Sequence, residues 1–284
     1  MRVIDETEAD LRTLIAADFG PTKKRAFHKD FSDWLTFKAR CIPAVPRVVV
    51  MSAEVIALLP RYPAINNIKA ALQIGAEVTP WLSEETRRKK LDPVADMMFN
   101  SWQIAHFHLG EFFQSPTTIR RSGLLLFAFI SGTEATLIDV QPHGAWTQTA
   151  LLEILQKTNP AALDSFAPRG VTPQSLSDEQ LGNLRANRTN TIIEIGGRAL
   201  YPGGGIMSSG HAMRIEMYGS WFQRQAAHLK ALFETDQVPA QFQQAIYGRL
   251  GIPIRLGAWY SAGGLAIIDK NRSGLVLHGM RPLE

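Results

Sequence analysis

The fold turns on one stretch of the chain. It reads Trp102-Gln103-Ile104-Ala105-His106-Phe107-His108-Leu109, a short loop through Pro116, then Arg120-Arg121. Leu124-Leu125-Leu126-Phe127-Ala128-Phe129-Ile130 follows, then Ser131-Gly132-Thr133-Glu134, Ala135-Thr136-Leu137-Ile138-Asp139-Val140 and Pro142-His143-Gly144. The two apolar runs suit a pleated surface, and the four-residue, Gly-containing turn between them predicts a β-hairpin. With residues 104–109 extended, the period-two geometry puts His106 and His108 on one face, about 7 Å apart, and Phe107 and Leu109 on the other. The far end of the hairpin delivers His143 to the start of a loop, where catalytic groups often stand on a rigid scaffold.

At 284 residues the chain is long enough for two domains and a full core. Its 45% hydrophobic and 20% charged content is that of an ordinary globular protein and excludes a disordered one. A formal charge of +4 and a pI near 9.3 permit a polyanionic partner without requiring one. The single cysteine, Cys41, rules out an internal disulfide and a cysteine-rich zinc site, and points to a reducing compartment, so the expected location is cytoplasmic. The N-terminus lacks the apolar core of a signal peptide, and no stretch approaches the roughly 18 apolar residues of a membrane span.

Outward from the central stretch, residues 6–17 carry Leu11, Leu14 and Ile15 at helical spacing. Lys23-Lys24-Arg25 reads as a solvated basic face. Residues 27–40 form a second helix whose Phe27, Phe31, Trp34, Leu35 and Phe37 make a core stripe. Pro43 and Pro46 end it, and Val48 to Met51 is a short strand or the approach to a helix that starts at Ser52. Ile65 to Ile74 is an amphipathic helix closed by Gly75. Ser83 is an N-cap ahead of Glu84-Glu85. Arg87-Arg88-Lys89-Lys90 is the densest basic patch in the chain, read either as an RNA contact or as a plain helix C-terminus. Trp146 to Lys157 is helical and stops at Asn159-Pro160.

Residues 161–190 are polar and rich in Pro, Ser, Asp and Asn, so the expected organisation has three parts. Residues 1–160 form a helical segment plus a His-bearing antiparallel sheet, 161–190 a linker-like boundary, and 191–284 a second α+β domain. That domain opens with a strand, Thr191 to Ile195, and a loop, Tyr201-Pro202-Gly203-Gly204-Gly205, of the glycine-rich kind that cradles anions with backbone amides, though without a P-loop ending. A long helix covers Met213 to Glu234, and three short strands in residues 254–278 make a small antiparallel sheet. The fold class is α+β: N-terminal helices on a small antiparallel sheet, then a second α+β half.

Histidines two apart on a strand, with a third nearby, have the spacing of a three-nitrogen zinc site. No carboxylate sits at a helpful spacing nearby except Glu111 and Asp139, however, and Arg120-Arg121 opposes a cation, so neither metal nor cofactor is expected. Metal-free RNA cleavage needs a base for the 2′-hydroxyl, an acid for the leaving oxygen and cationic donors for the charge growing at phosphorus. Here His106 and His108 would share the acid and base roles, Arg121 or Arg120 would stabilise the transition state, and His143 would orient or donate a proton. On the bland reading, the histidines hydrogen-bond within the sheet and an arginine caps a helix or pairs with Asp139.

The segment from Arg120 to Gly144, with its Arg-Arg pair, Leu124 to Phe127, tight turn, Leu137 to Val140 and His143, resembles the terminal hairpin of RelE-like toxin ribonucleases, part of the wider barnase-like group. The W-x-I-x-H-x-H-L motif at Trp102 to Leu109 is similar to one in uncharacterised bacterial proteins of similar length. The resemblance covers about forty residues and implies a toxin-like, metal-independent endoribonuclease. It further implies RNA as substrate, an inhibitory protein as partner, and His106, His108, Arg120, Arg121 and His143 as acid-base and basic residues on one sheet face. The chain departs from that group in its length and its large second half. The alternative is a non-enzymatic binding module for a protein or a small anionic ligand. No sequence signal fixes an oligomeric state.

Overall fold

The computed structural model describes residues 1–21, 26–83, 86, 96–110, 113–115, 118–144, 149–173, 175–187, 189–203, 205–207, 209–249, 251–261 and 263–281. The fold is α+β. Its elements begin with β1 (Val3–Asp5), α1 (Thr7–Phe19), α2 (Phe27–Arg40), β2 (Val48–Met51), α3 (Ala53–Leu58), α4 (Ala64–Ile74) and α5 (Met97–Trp102). The central stretch supplies β3 (Ile104–His108), β4 (Phe113–Ser115), β5 (Thr118–Ile119), β6 (Leu124–Ile130) and β7 (Glu134–Pro142). Beyond it come α6 (Thr149–Thr158), α7 (Asp178–Ala186), β8 (Ile193–Ile195), β9 (Arg198–Leu200), α8 (Met213–Glu234), α9 (Ala240–Tyr247), β10 (Ile254–Ser261), β11 (Gly264–Asp269) and β12 (Leu275–Gly279). Among the described residues no helix is long and apolar enough to cross a membrane.

The chain forms two compact units, residues 1–35 with 215–283, and residues 36–214. This is not the division at 161–190 drawn from composition. In the first unit β1 pairs in parallel with β10, Val3 opposite Ile254, so both ends of the chain share one sheet of order β1-β10-β11-β12. The polar residues 161–190 lie wholly inside the second unit, where buried Leu163, Phe166 and Leu181 anchor them to the core. A few apolar side chains at the right spacing outweigh a polar average.

In the first unit Leu11 and Ile15 of α1, Phe31, Trp34 and Phe222 are all buried, and the Phe31 ring lies 6.2 Å from Trp34 and 6.4 Å from Phe222. The Trp34 ring meets Tyr260 edge-on at 5.1 Å, and its indole N–H donates to Asp18 Oδ2 at 2.8 Å. At the other end of that sheet, the Arg272 guanidinium pairs with buried Asp269 and donates to the carbonyls of Ala245, Ile246, Arg249 and Ile252, so it terminates α9 from outside.

The second unit is built on a four-stranded sheet of order β2-β7-β6-β3, with β7 parallel to β2 and antiparallel to β6. Helices cover both faces, which is why β6 reads as an unbroken apolar run and does not alternate. Leu126 and Ala128 face Ile65, Ile68 and Leu72 of α4. Leu125, Phe127 and Phe129 face Leu151, Leu152 and Leu155 of α6. A bulge lets Ala128 face Leu137 while Phe127 faces Asp139, leaving Ile138 as the extra residue.

The expected caps are in place. Gly75 ends α4 at φ +70°, and a Cβ there would lie 2.6 Å from the nitrogen of Pro46, so only glycine fits. Ser52 does two jobs: its hydroxyl accepts from the Val55 N–H at 3.0 Å and donates to the Ile138 carbonyl at 2.6 Å, tying α3 to β7 at a site 1% exposed. Ser52→Ala removes a cap and leaves a buried carbonyl unpaired, so urea unfolding is expected to show a loss of about 2 kcal/mol. A loss under about 0.5 kcal/mol would mean that this hydroxyl does not hold the two elements together.

Candidate functional site

The site starts from a turn. Helix α5 ends at Gln103, which takes the left-handed conformation at φ +58° and sends the chain back as β3. All five residues of β3 are buried. His106 lies opposite Phe127 and His108 opposite Leu125, so both imidazoles share the face on which Ile104, Leu125 and Phe127 pack. Where β6 begins, Leu124 pairs with Pro142, and the next residue of that edge is His143.

The three rings meet there. Centroids are 6.2 Å apart for His106 and His108, 5.5 Å for His108 and His143, and 6.5 Å for His106 and His143. Exposure rises across the cluster: His108 is 2% exposed, His106 8%, and His143 open to solvent. The arginines arrive by a close crossing. A Cβ on Gly110 would lie 1.9 Å from the Arg120 carbonyl, so only glycine lets the two segments approach. The Ser122 hydroxyl then accepts from the Leu109 N–H at 2.9 Å and donates to the Leu124 carbonyl at 2.5 Å, fixing the loop that carries the pair. Both arginines are exposed, and Arg121 is the one whose charge acts on His108 and His143.

Burial dominates the electrostatics. It pushes the His108 pKa down from 6.5 to about 4, helped by His106, Arg121 and His143; the Ser122 backbone acts weakly the other way without reaching hydrogen-bond geometry. Neither ring nitrogen of His108 makes a hydrogen bond. Partial burial, then His106 and Arg121, also lower the His143 pKa.

One participant escaped the sequence reading. Asp96 accepts from the Phe99 N–H at 3.1 Å and so caps α5, while its other oxygen lies 3.4 Å from His106 Nδ1, an ion-pair separation and not an aligned hydrogen bond. The available signal was an N-cap aspartate ahead of Met97 to Trp102, with a helix just long enough to fold back along β3. Asp139, by contrast, accepts from the Val140 N–H and the Gln141 side chain, and is not the partner of Arg120 or Arg121 that the bland reading named. Among the described residues no group of three or more His, Cys, Asp and Glu side chains is placed to hold a metal ion.

Other expectations fall elsewhere. Arg87, Arg88, Lys89, Lys90 and Glu111 lie outside the described residues. In the glycine-rich loop before α8 three amides are taken up within the chain: Gly205 N–H donates to the Pro202 carbonyl, Ile206 N–H to Asn190 Oδ1 at 2.7 Å, and Met207 N–H to the His211 carbonyl at 2.9 Å. No protein-family model, curated protein or solved structure matches the chain.

The buried imidazole makes stability depend on pH. With a folded pKa near 4 against 6.5 unfolded, His108 binds its proton more readily in the unfolded chain. Stability from this group is therefore full above pH 6.5 and falls as pH drops toward 4, by on the order of 3 kcal/mol at most. Thermal unfolding between pH 7 and pH 4 is expected to show that slope, and His108→Phe to flatten it. An unchanged slope in the variant would mean that His108 is not held neutral by burial.

Proposed function

We propose that His106, His108, His143 and Arg121 form a metal-independent acid-base site that cleaves RNA. The observation that carries this reading is the convergence of three imidazoles, from β3 and from the end of β7, within 6.5 Å of one another beside a guanidinium. Acid-base work on a phosphodiester needs two proton carriers on opposite sides of phosphorus and a cation for its oxygens.

The environments of the three rings support a division of roles. His143, exposed and with a lowered pKa, is neutral near pH 7 and takes the proton of the 2′-hydroxyl. The freed oxygen attacks the adjacent phosphorus, and the bond to the 5′-oxygen breaks. His106, oriented by Asp96, gives that oxygen a proton. The products are a 2′,3′-cyclic phosphate and a 5′-hydroxyl end. Arg121 donates to the non-bridging oxygens through its paired N–H groups, and His108 lines the inner wall. Such a site supports an endoribonuclease of the toxin-like kind, acting on RNA and open to control by an inhibitory protein.

DNA, lacking the 2′-hydroxyl, is expected to stay intact. A fluorescent RNA incubated with the protein in EDTA is expected to be cut, and His143→Ala and Arg121→Gln to slow the cutting by about a hundredfold or more. Both side chains are exposed, so the thermal midpoint should stay within about 2 °C of wild type. Intact RNA after prolonged incubation with wild type, or undiminished cleavage by His143→Ala, would remove the proposal.

A further inference from the structure

We infer that the cleft between the start of α1 and the middle of α8 binds a small zwitterion with an apolar body, the chemistry of a free aromatic amino acid. The cleft lies wholly within the first unit and holds about 440 Å³, inside the range of roughly 300–1,000 Å³ usual for small-molecule sites. A monatomic ion would leave most of that space empty.

The floor of the cleft is apolar and fixed. Leu11 and Phe222 are each 1% exposed and Ala226 4%, so the side chains beneath the cleft are part of the close-packed core and do not move to admit a guest. Phe27, at the start of α2, also lines the cleft. Its ring stacks on Phe31 at 5.5 Å with the planes 10° apart, and the Arg12 guanidinium lies 4.9 Å from its centre. That wall is formed before any ligand arrives, which lowers the ordering cost of binding.

The rim separates charge by wall. Asp5 and Glu8 stand on the β1–α1 side, and Lys230 stands with Gln223 on α8. Arg12 donates twice to Glu8 Oε1, at 2.7 and 2.9 Å, so Glu8 is already answered. Asp5 spends only one oxygen: Oδ1 accepts from the Thr7 N–H at 3.0 Å and the Thr7 hydroxyl at 2.7 Å, which satisfies the start of α1, and Oδ2 has no hydrogen bond or ion pair among the described residues. Lys230 pairs with Glu234 at 3.9 Å on its own helix, an exposed contact of the weak surface kind. A ligand with both charges can set its ammonium on Asp5 and its carboxylate on Lys230. A plain cation would also face Lys230, and a plain anion would face Asp5 and Glu8, each opposed by like charge. Water screens both walls, so the apolar floor supplies most of the affinity and the charges select the ligand and its orientation.

L-Phenylalanine is the probe, added to the full chain and followed by saturation-transfer NMR and calorimetric titration. The expected result is one-site binding with a Kd on the order of 1 mM or below. 2-Phenylethylamine, which lacks the carboxylate, and 3-phenylpropionate, which lacks the ammonium, should each bind about fivefold or more weakly. Asp5→Asn keeps an acceptor for Thr7, and Lys230→Gln changes a partly exposed side chain, so both are expected to keep the wild-type thermal transition. Each should weaken L-phenylalanine about fivefold, and Asp5→Asn should weaken 2-phenylethylamine without weakening 3-phenylpropionate. No binding of L-phenylalanine at about 10 mM, an analogue with one charge that binds as tightly as the amino acid, or wild-type affinity in either folded variant overturns the inference.

Discussion

The second unit depends on the burial of β6 from both sides. A strand covered by helices on both faces has no room for polar side chains along its length, and Leu124 to Ile130 contains none. The neighbouring strand β3 obeys the same constraint for Ile104 and Phe107 but breaks it at His106 and His108. Those two buried rings stand toward the end of the face, where Leu124 and Pro142 close the β6–β7 pair and the chain leaves the sheet at His143. The packing therefore determines where polar chemistry can stand: at the rim of the sheet, beside the loop carrying Arg121.

That placement has an electrostatic consequence. Inside the apolar layer a charged imidazole is expensive, and three of them beside a guanidinium would repel one another as well. Burial and like charge thus act together on His108, and both hold it neutral. Asp96 is the counterweight for His106 alone, and it is available only because the same carboxylate caps α5. A cluster in which one ring has a carboxylate behind it, one is buried without a partner and one faces solvent holds three histidines in three different environments. Differentiated environments are what let chemically identical groups take different proton-transfer roles.

Much of this was legible in the residues. The β6–β7 hairpin, the shared face of His106 and His108, the Ser52 and Gly75 caps, the long helix α8 and the three C-terminal strands all follow from local periodicity and turn chemistry, which act over a few residues. What was not legible depends on distant pairing. Nothing in Val3-Ile4-Asp5 announces that it will lie beside Ile254 to Leu256, because the hydrogen bonds are between backbones and leave no side-chain signature. The polar composition of residues 161–190 suggested a linker, because an average hides Leu163, Phe166 and Leu181, three side chains that suffice to fix the segment. Which of two adjacent arginines bears on the histidines is set by the crossing at Gly110, a three-dimensional event that the dipeptide does not encode.

The state of His108 also separates the functional reading from the bland one. A histidine kept only for the fold should end up hydrogen-bonded, since an unmet donor and acceptor in an apolar layer cost on the order of 1–3 kcal/mol and a leucine or phenylalanine would remove the cost. His106 and Asp96 could be explained as structure alone, one capping arrangement touching one ring. His108 does not fit that account, because neither of its buried ring nitrogens has a hydrogen-bond partner and the Arg121 charge opposes its protonation. A side chain that weakens the fold where it stands, next to two similar groups and a guanidinium, is not accounted for by the packing around it.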